Sequence, residues 1–237
     1  MLTYSKTEFI QFRDYFSIKD EPWNIENIFV KKANKYIKYL KFIPWIKMVA
    51  IWNSVAMNYA NNESDIDLFI ITSINRLWIV RILTTIFFTI LLVRKTPKYH
   101  TGKFCLSFFC TTKSMDFSGF AIENDIYLYF WIIYLKPILD FDNTYDKFIS
   151  AQTWSNFEEY KEIIEKNKNY IKHSWKSFWD KSKIINFFEK ILKSIFIKKT
   201  IQNYNNLWKP FWIIINDNML KFHNDDKRKE IRKEILD

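Results

Sequence analysis

Glycine is nearly missing from this chain. Only Gly102 and Gly119 occur in 237 residues, where ordinary usage of about 7% would supply roughly seventeen. Tryptophan is in excess instead, with ten present. Trp45 in FIPWIKM, Trp52 in AIWNSV and Trp212 in KPFWIII all sit beside turn signals, where a small, φ-permissive residue is expected. Two explanations are open: UGA triplets that the source organism reads as glycine, written here as tryptophan, or an aromatic-rich core in which indoles pack well.

Cysteine is scarce too. In an extended segment, residues five apart face opposite sides, so Cys105 and Cys110 are expected neither to pair locally nor to form a metal clip, and a reducing cytoplasm fits them. The opening MLTYSKTEFIQF lacks a charged leader followed by an apolar run, so no secretory signal is visible. Nor is there a long hydrophobic stretch. ILTTIFFTILLV, residues 82 to 93, offers about twelve apolar residues between Arg81 and Arg94, against the twenty or so a spanning helix needs. Extending it back to Leu77 would put Arg81 into hydrocarbon, where charge is expensive. A buried helix is favoured over membrane contact through 77–93.

What is abundant excludes disorder: 49% of residues are apolar and 19% aromatic, the reverse of a chain that stays unfolded. The formal charge of +10 suits a phosphate-rich partner. Lys, Asn, Ile, Phe and Tyr are inflated together, however, as AT-rich codons would produce.

Residues 5–16 and 25–42 carry apolar positions at three- and four-residue spacing and are expected to be amphipathic helices, the second closed by Pro44. IKMVAIW (46–52) reads as a strand, followed by a tight turn at Asn53-Ser54 and a short helix through VAMNYA. DIDLFIIT then alternates and runs apolar, as a strand covered on both faces would. Residues 75–93 read as a buried helix and FCLSFFCT (104–111) as a third strand. Beyond Gly119 the pattern is helical: about 124–140, 144–171, 180–205 and from about 225, with PFWIII near 210–215 as a short strand. The fold class expected is α/β (α+β), a small mixed sheet flanked by helices. A seam near residue 120 divides an α/β part (1–120) from an all-helical part (121–237).

Asp65 and Asp67 open the second strand. Carboxylates at i and i+2 on a strand share a face, so they can hold one or two divalent cations through hard oxygen ligands. The strand-turn-helix carrying Ser54 supplies backbone N–H groups at a helix N-terminus and a hydroxyl, which a triphosphate requires. Phosphoryl transfer relies on metal charge and positioning more than on protein nucleophiles.

With Ser54, ten intervening residues and then Asp65-Ile66-Asp67 in SDIDLFII, the stretch resembles the nucleotidyltransferase superfamily typified by DNA polymerase beta and the minimal nucleotidyltransferases. Their motif is a strand ending in Gly-Ser, then about ten residues, then Asp-x-Asp on the next strand. The resemblance implies Asp65 and Asp67 as catalytic metal ligands, Asn53 and Ser54 as the phosphate-binding turn, Mg²⁺ or Mn²⁺ as cofactor and an NTP as substrate. It is specific over 46–72 and looser through about 140. Asn53 stands where the family has Gly. The family commonly adds a third carboxylate on a later strand, and FCLSFFC offers none: Cys105 and Ser107 take the inward positions, while Asp116, Glu123 and Asp125 follow downstream.

Among other candidates, His223, with Asp225, Asp226 and Arg228 beside it, could reach a phosphate or acceptor, although an N-capped, solvent-facing helix explains that segment as well. His100 and His173 read as loop and surface residues. Lys98, Lys103 and Lys113 could neutralise triphosphate charge. Three functions compete. The first is a metal-dependent nucleotidyltransferase acting on a nucleic acid, small-molecule or protein acceptor. The second is a catalytically inactive relative serving as a binding or antitoxin-type module, and the third a membrane-associated protein.

Overall fold

In a computed structural model of the chain, residues 1–168, 171–173, 182–205, 213–222 and 226–237 are described. The N-terminal half contains α1 (Lys6–Phe16), α2 (Asn24–Ile37), β1 (Ile46–Trp52), α3 (Asn53–Ala56), β2 (Ile66–Thr72), α4 (Leu77–Ile90) and β3 (Phe104–Thr111). Then come α5 (Ile126–Ile133), β4 (Lys136–Phe141), α6 (Thr144–Ser150), α7 (Lys161–Lys166), β5 (Ile171–His173), α8 (Lys183–Asn205), β6 (Ile213–Ile215), β7 (Met219–Phe222) and α9 (Arg228–Leu236). The architecture is mixed α/β, with a helix-rich C-terminal part.

Among the described residues, the seven strands join one sheet in the order β5-β4-β1-β2-β3-β7-β6. β1 lies antiparallel to β2 with Trp52 opposite Asp67, and β2 lies parallel to β3 with Asp67 opposite Cys105. Both faces are covered, which is why IDLFIIT runs apolar with every residue buried. One face packs Trp52, Phe69 and Phe108, with Phe117 from the loop after β3, against Trp131 and the rest of α5, whose eight residues are all buried. The other packs Val49, Ile51, Leu68 and Ile70 against Phe29 and Ala33 of α2 and Trp78 and Phe88 of α4.

Local chemistry fixes the helix ends. At α1, the Ser5 hydroxyl accepts the Glu8 N–H at 3.4 Å while Glu8 accepts the Ser5 N–H at 2.6 Å, a reciprocal capping box. The first turn of α4 is capped from another helix: Glu189 of α8 accepts the Trp78 and Ile79 N–H groups at 2.8 and 2.9 Å. That contact pins α8 across α4. The run 82–93 is not wholly buried, because Ile86, Ile90 and Leu92 are exposed. Among the described residues no helix is long and apolar enough to cross a membrane.

Asparagine has taken over the work of the missing glycines. Among the described residues, five of the eight non-glycine positions at positive φ are Asn53, Asn58, Asn75, Asn124 and Asn143, the residue type that best tolerates the left-handed region after glycine. No described tryptophan has a positive φ. Trp52 is extended at φ −137°, and its indole meets Trp131 and Phe108 edge-on at 5.2 and 5.8 Å.

The part beyond residue 120 is richer in strands than its periodicity suggests. The helix expected over 124–140 stops at α5, and KPILDF becomes β4, with Met48 opposite Asp140. Pro137 is the reason: it would break a helix interior, and it sits opposite Ala50 where the ladder slips register. The helix expected over 144–171 divides into α6 and α7, followed by β5. MLKF, with no assignment from the sequence, forms β7, and the strand expected near 210–215 is β6. The sheet therefore draws strands from both sides of residue 120.

Candidate metal and nucleotide site

Asp65 lies one residue ahead of β2 and Asp67 is its second residue, only 4% exposed. Ligand atoms of Asp65, Asp67 and Cys105 all lie within 4.8 Å of one another. This set is the one group of three or more His, Cys, Asp or Glu side chains among the described residues that could hold a metal ion.

The thiol reaches the acids because Cys105 pairs with Asp67 across the β2–β3 ladder. The register of β3 against β2 then shifts between the Asp67–Cys105 and Phe69–Phe108 pairs. Asp67 and Ile71 share a face, and their partners are Cys105 and Cys110, so the slip puts both cysteines on one side of the sheet. The expectation that residues five apart face opposite ways is corrected by that extra residue. Both thiols are free.

Asn53 ties the turn to the acids. It has φ +65°, so the position where the resemblance calls for glycine is indeed left-handed. Its amide donates to Asp67 Oδ2 at 3.0 Å, while its carbonyl oxygen accepts the Tyr127 and Tyr59 hydroxyls at 2.7 and 3.2 Å. Ser54 follows in the first turn of α3, and its carbonyl accepts the Tyr59 N–H at 3.0 Å. The serine-bearing bend is thereby fixed against β2.

The electrostatics are those of a crowded anionic site. Burial, and then the neighbouring Asp65, push the Asp67 carboxyl up to about 6, against the opposing pull of Asn53, Cys105 and Lys95. Lys95 Nζ sits 2.6 Å from Asp65 Oδ2. Burial opposes its charge, yet the Asp65 contact, with Cys105 and Asp67 behind it, leaves the Lys95 pKa above the ordinary value. Burial raises the Cys105 thiol, with Asp67 and Asp65 adding to the rise. Lys221 of β7, opposite Phe108, lies buried on the same face, its Nζ 5.5 and 5.8 Å from the Phe108 and Trp52 ring centres. Burial holds its pKa well below the usual value.

The downstream acids do not join the set. Asp125 is the N-cap of α5, accepting the Leu128 N–H at 3.0 Å and the Arg228 guanidinium at 2.7 Å. Asp116 closes a loop, accepting from Ser118 and Thr153. The Glu123 carbonyl accepts from Arg232 at 3.1 Å. Among the lysines, Lys103 donates to the Leu92 carbonyl at 2.7 Å, Lys98 lies over the Tyr99 ring, and Lys113 follows β3 in a turn. The lysine on the acids is Lys95, which the sequence reading passed over. His100 is in an exposed loop, and residue 173 ends β5 opposite Phe141. His223, Asp225 and Trp212 lie outside the described residues.

A cleft of about 410 Å³, lined by Arg13, Lys19, Asn58 and Lys136 among others, includes none of Asp65, Asp67 or Cys105. The three converging metal-type donors therefore lie apart from that cleft. Compared with protein-family models, with curated proteins and with solved structures, the chain matches none.

Proposed function

We propose that the protein is a metal-dependent nucleotidyltransferase that moves a nucleoside monophosphate from an NTP to a hydroxyl of an acceptor. The observation that carries this reading is the convergence of Asp65, Asp67 and Cys105 donor atoms within 4.8 Å, beside a left-handed turn bonded to Asp67. Two carboxylates in the SDIDLFII motif fit a divalent ion of the Mg²⁺ or Mn²⁺ kind, with Asp65 and Asp67 as its protein ligands. When bound, such an ion offsets triphosphate charge and favours the deprotonated acceptor hydroxyl. Ser54 and the amides of its turn hold the β- and γ-phosphates, and Asn53 keeps that turn against Asp67. Lys95, already on Asp65, adds positive charge at the rim. The acceptor oxygen forms the new bond to the α-phosphorus, pyrophosphate departs, and the hydroxyl proton passes to solvent.

One observation favours a second reading, a nucleotidyltransferase-like binding module without catalysis. A third carboxylate is absent from the metal-type set among the described residues, and Lys95 already neutralises Asp65. Calorimetry separates the two: NTP binding that requires a divalent ion supports the enzyme. Metal-independent RNA binding with steep salt dependence supports the module.

A further inference from the structure

Cys105 is chemically out of place as a filler of β3. It sits opposite a buried carboxylate, with a second carboxylate beside it. An alanine or valine would fill a strand position there without that conflict. The next residue on the bulged stretch that faces it is also unusual. The Ser107 hydroxyl is 7% exposed, leans on the Cys105 sulfur and has no oxygen or nitrogen partner among the described residues. A half-buried thiol and a buried hydroxyl thus lie side by side next to the acids.

We infer that Cys105 Sγ is the third protein ligand of the cation held by Asp65 and Asp67, and that the site accordingly prefers thiophilic divalent ions such as Zn²⁺ or Co²⁺ over Mg²⁺. This rests on the proposed reading of the acids as metal ligands and, with a thiol added to them, revises the ion class given there from Mg²⁺ or Mn²⁺ to thiophilic ions. Soft thiolate selects Zn-type ions, whereas an all-oxygen set suits Mg²⁺. In a tetrahedral site, metal–sulfur and metal–oxygen bonds of about 2.3 and 2.1 Å set donors roughly 3.4–3.6 Å apart, so a set now within 4.8 Å closes with side-chain shifts of about an ångström. As the sulfur–metal bond forms, the thiol proton is released to solvent. Lys95, whose side chain is part-exposed, is the group free to swing away as the ion's charge replaces its own. The Ser107 hydroxyl then gains a thiolate to donate to, the kind of support that outer partners give metal ligands.

Titration of the full-length protein with Co²⁺ tests this without reference to activity. The wild type should develop the near-ultraviolet thiolate-to-cobalt charge-transfer band. Cys105→Ser should lose it and bind Zn²⁺ more than about a hundredfold more weakly, beyond the roughly 10–100-fold that loss of a supporting contact costs. Cys110→Ala should keep the band. Should Cys105→Ser fail to fold, alkylation of the wild type decides: Zn²⁺ should protect Cys105 from iodoacetamide and Mg²⁺ should not. A band that survives in Cys105→Ser, or equal alkylation with and without Zn²⁺, overturns the inference. Mg²⁺-dependent NTP binding with no cobalt–thiolate band overturns the role of Cys105 while leaving the proposed function standing. Silence toward all three ions overturns both.

Discussion

The side chain of Asn53 donates to Asp67 across 3.0 Å while its own backbone is held at φ +65°. One residue therefore makes the turn and fastens it to the acid. Glycine would make the turn alone.

That double role separates two substitutions. Asn53→Ala loses the hydrogen bonds to Asp67, Tyr59 and Tyr127 and adds about 1–2 kcal/mol of left-handed strain. Asn53→Gly loses only the hydrogen bonds, at about 1–3 kcal/mol for the buried partners left behind. Urea denaturation should place the alanine protein below the glycine protein, and both below wild type. Equal midpoints for all three would show that the turn does not depend on this contact.

The raised carboxyl of Asp67 makes stability depend on pH with a definite sign. Its folded value of about 6 exceeds the ordinary carboxylate value of 3.8, so the native state binds the extra proton and stability falls as pH rises between those values. Above pH 6 the cost of holding the charge is fully present, on the order of 2–3 kcal/mol. Asp67→Asn should therefore stabilise the metal-free protein at pH 7.5 and do little at pH 4. Melting temperatures measured at the two pH values check it, and a variant destabilised at pH 7.5 would contradict it.

Arg228 and Asp125 form a buried ion pair at 2.7 Å, both below 5% exposure. Asp125 also caps α5, so removing the guanidinium leaves a buried carboxylate at a helix start. Arg228→Ala should cost about 3–5 kcal/mol by denaturant unfolding, and adding Asp125→Asn should recover part of it. A loss under about 1 kcal/mol would place the pair among surface bridges of little worth.

Trp52 bears on the shortage of glycine. Its indole fills the cluster formed with Phe108 and Trp131, so Trp52→Gly should cost about 3–5 kcal/mol, as large-to-small core changes do. A glycine protein of undiminished melting temperature would mean the cluster does not need the indole, and would favour UGA read as glycine. Intact mass of the protein from its own host then reads the residue directly.

Much of this was legible in the chain. Alternation and apolar runs located β1, β2 and β3 within a residue, because buried strands leave a continuous record. Pro137 was a signal against the helix read over 124–140, but the surrounding YFWIIYLK-ILDF is apolar apart from Lys136 and Asp140, and so apolar a run has little period to separate helix from strand. The four residues of β7 were too few to show one. At the site, the spacing of Ser54, Asp65 and Asp67 was readable since each lies on a local element. Cys105, too, was read at an inward position of β3, although its pairing with Asp67 was not. Lys95 was not readable, since it reaches Asp65 across thirty residues of chain.

The central claim is tested most directly by labelling. Wild-type protein, incubated with a lysate of its host, divalent ions and each α-labelled NTP in turn, should transfer label to an acceptor. Asp65→Asn, folded with an unchanged circular dichroism spectrum, should transfer none. Undiminished labelling by that variant would contradict the account.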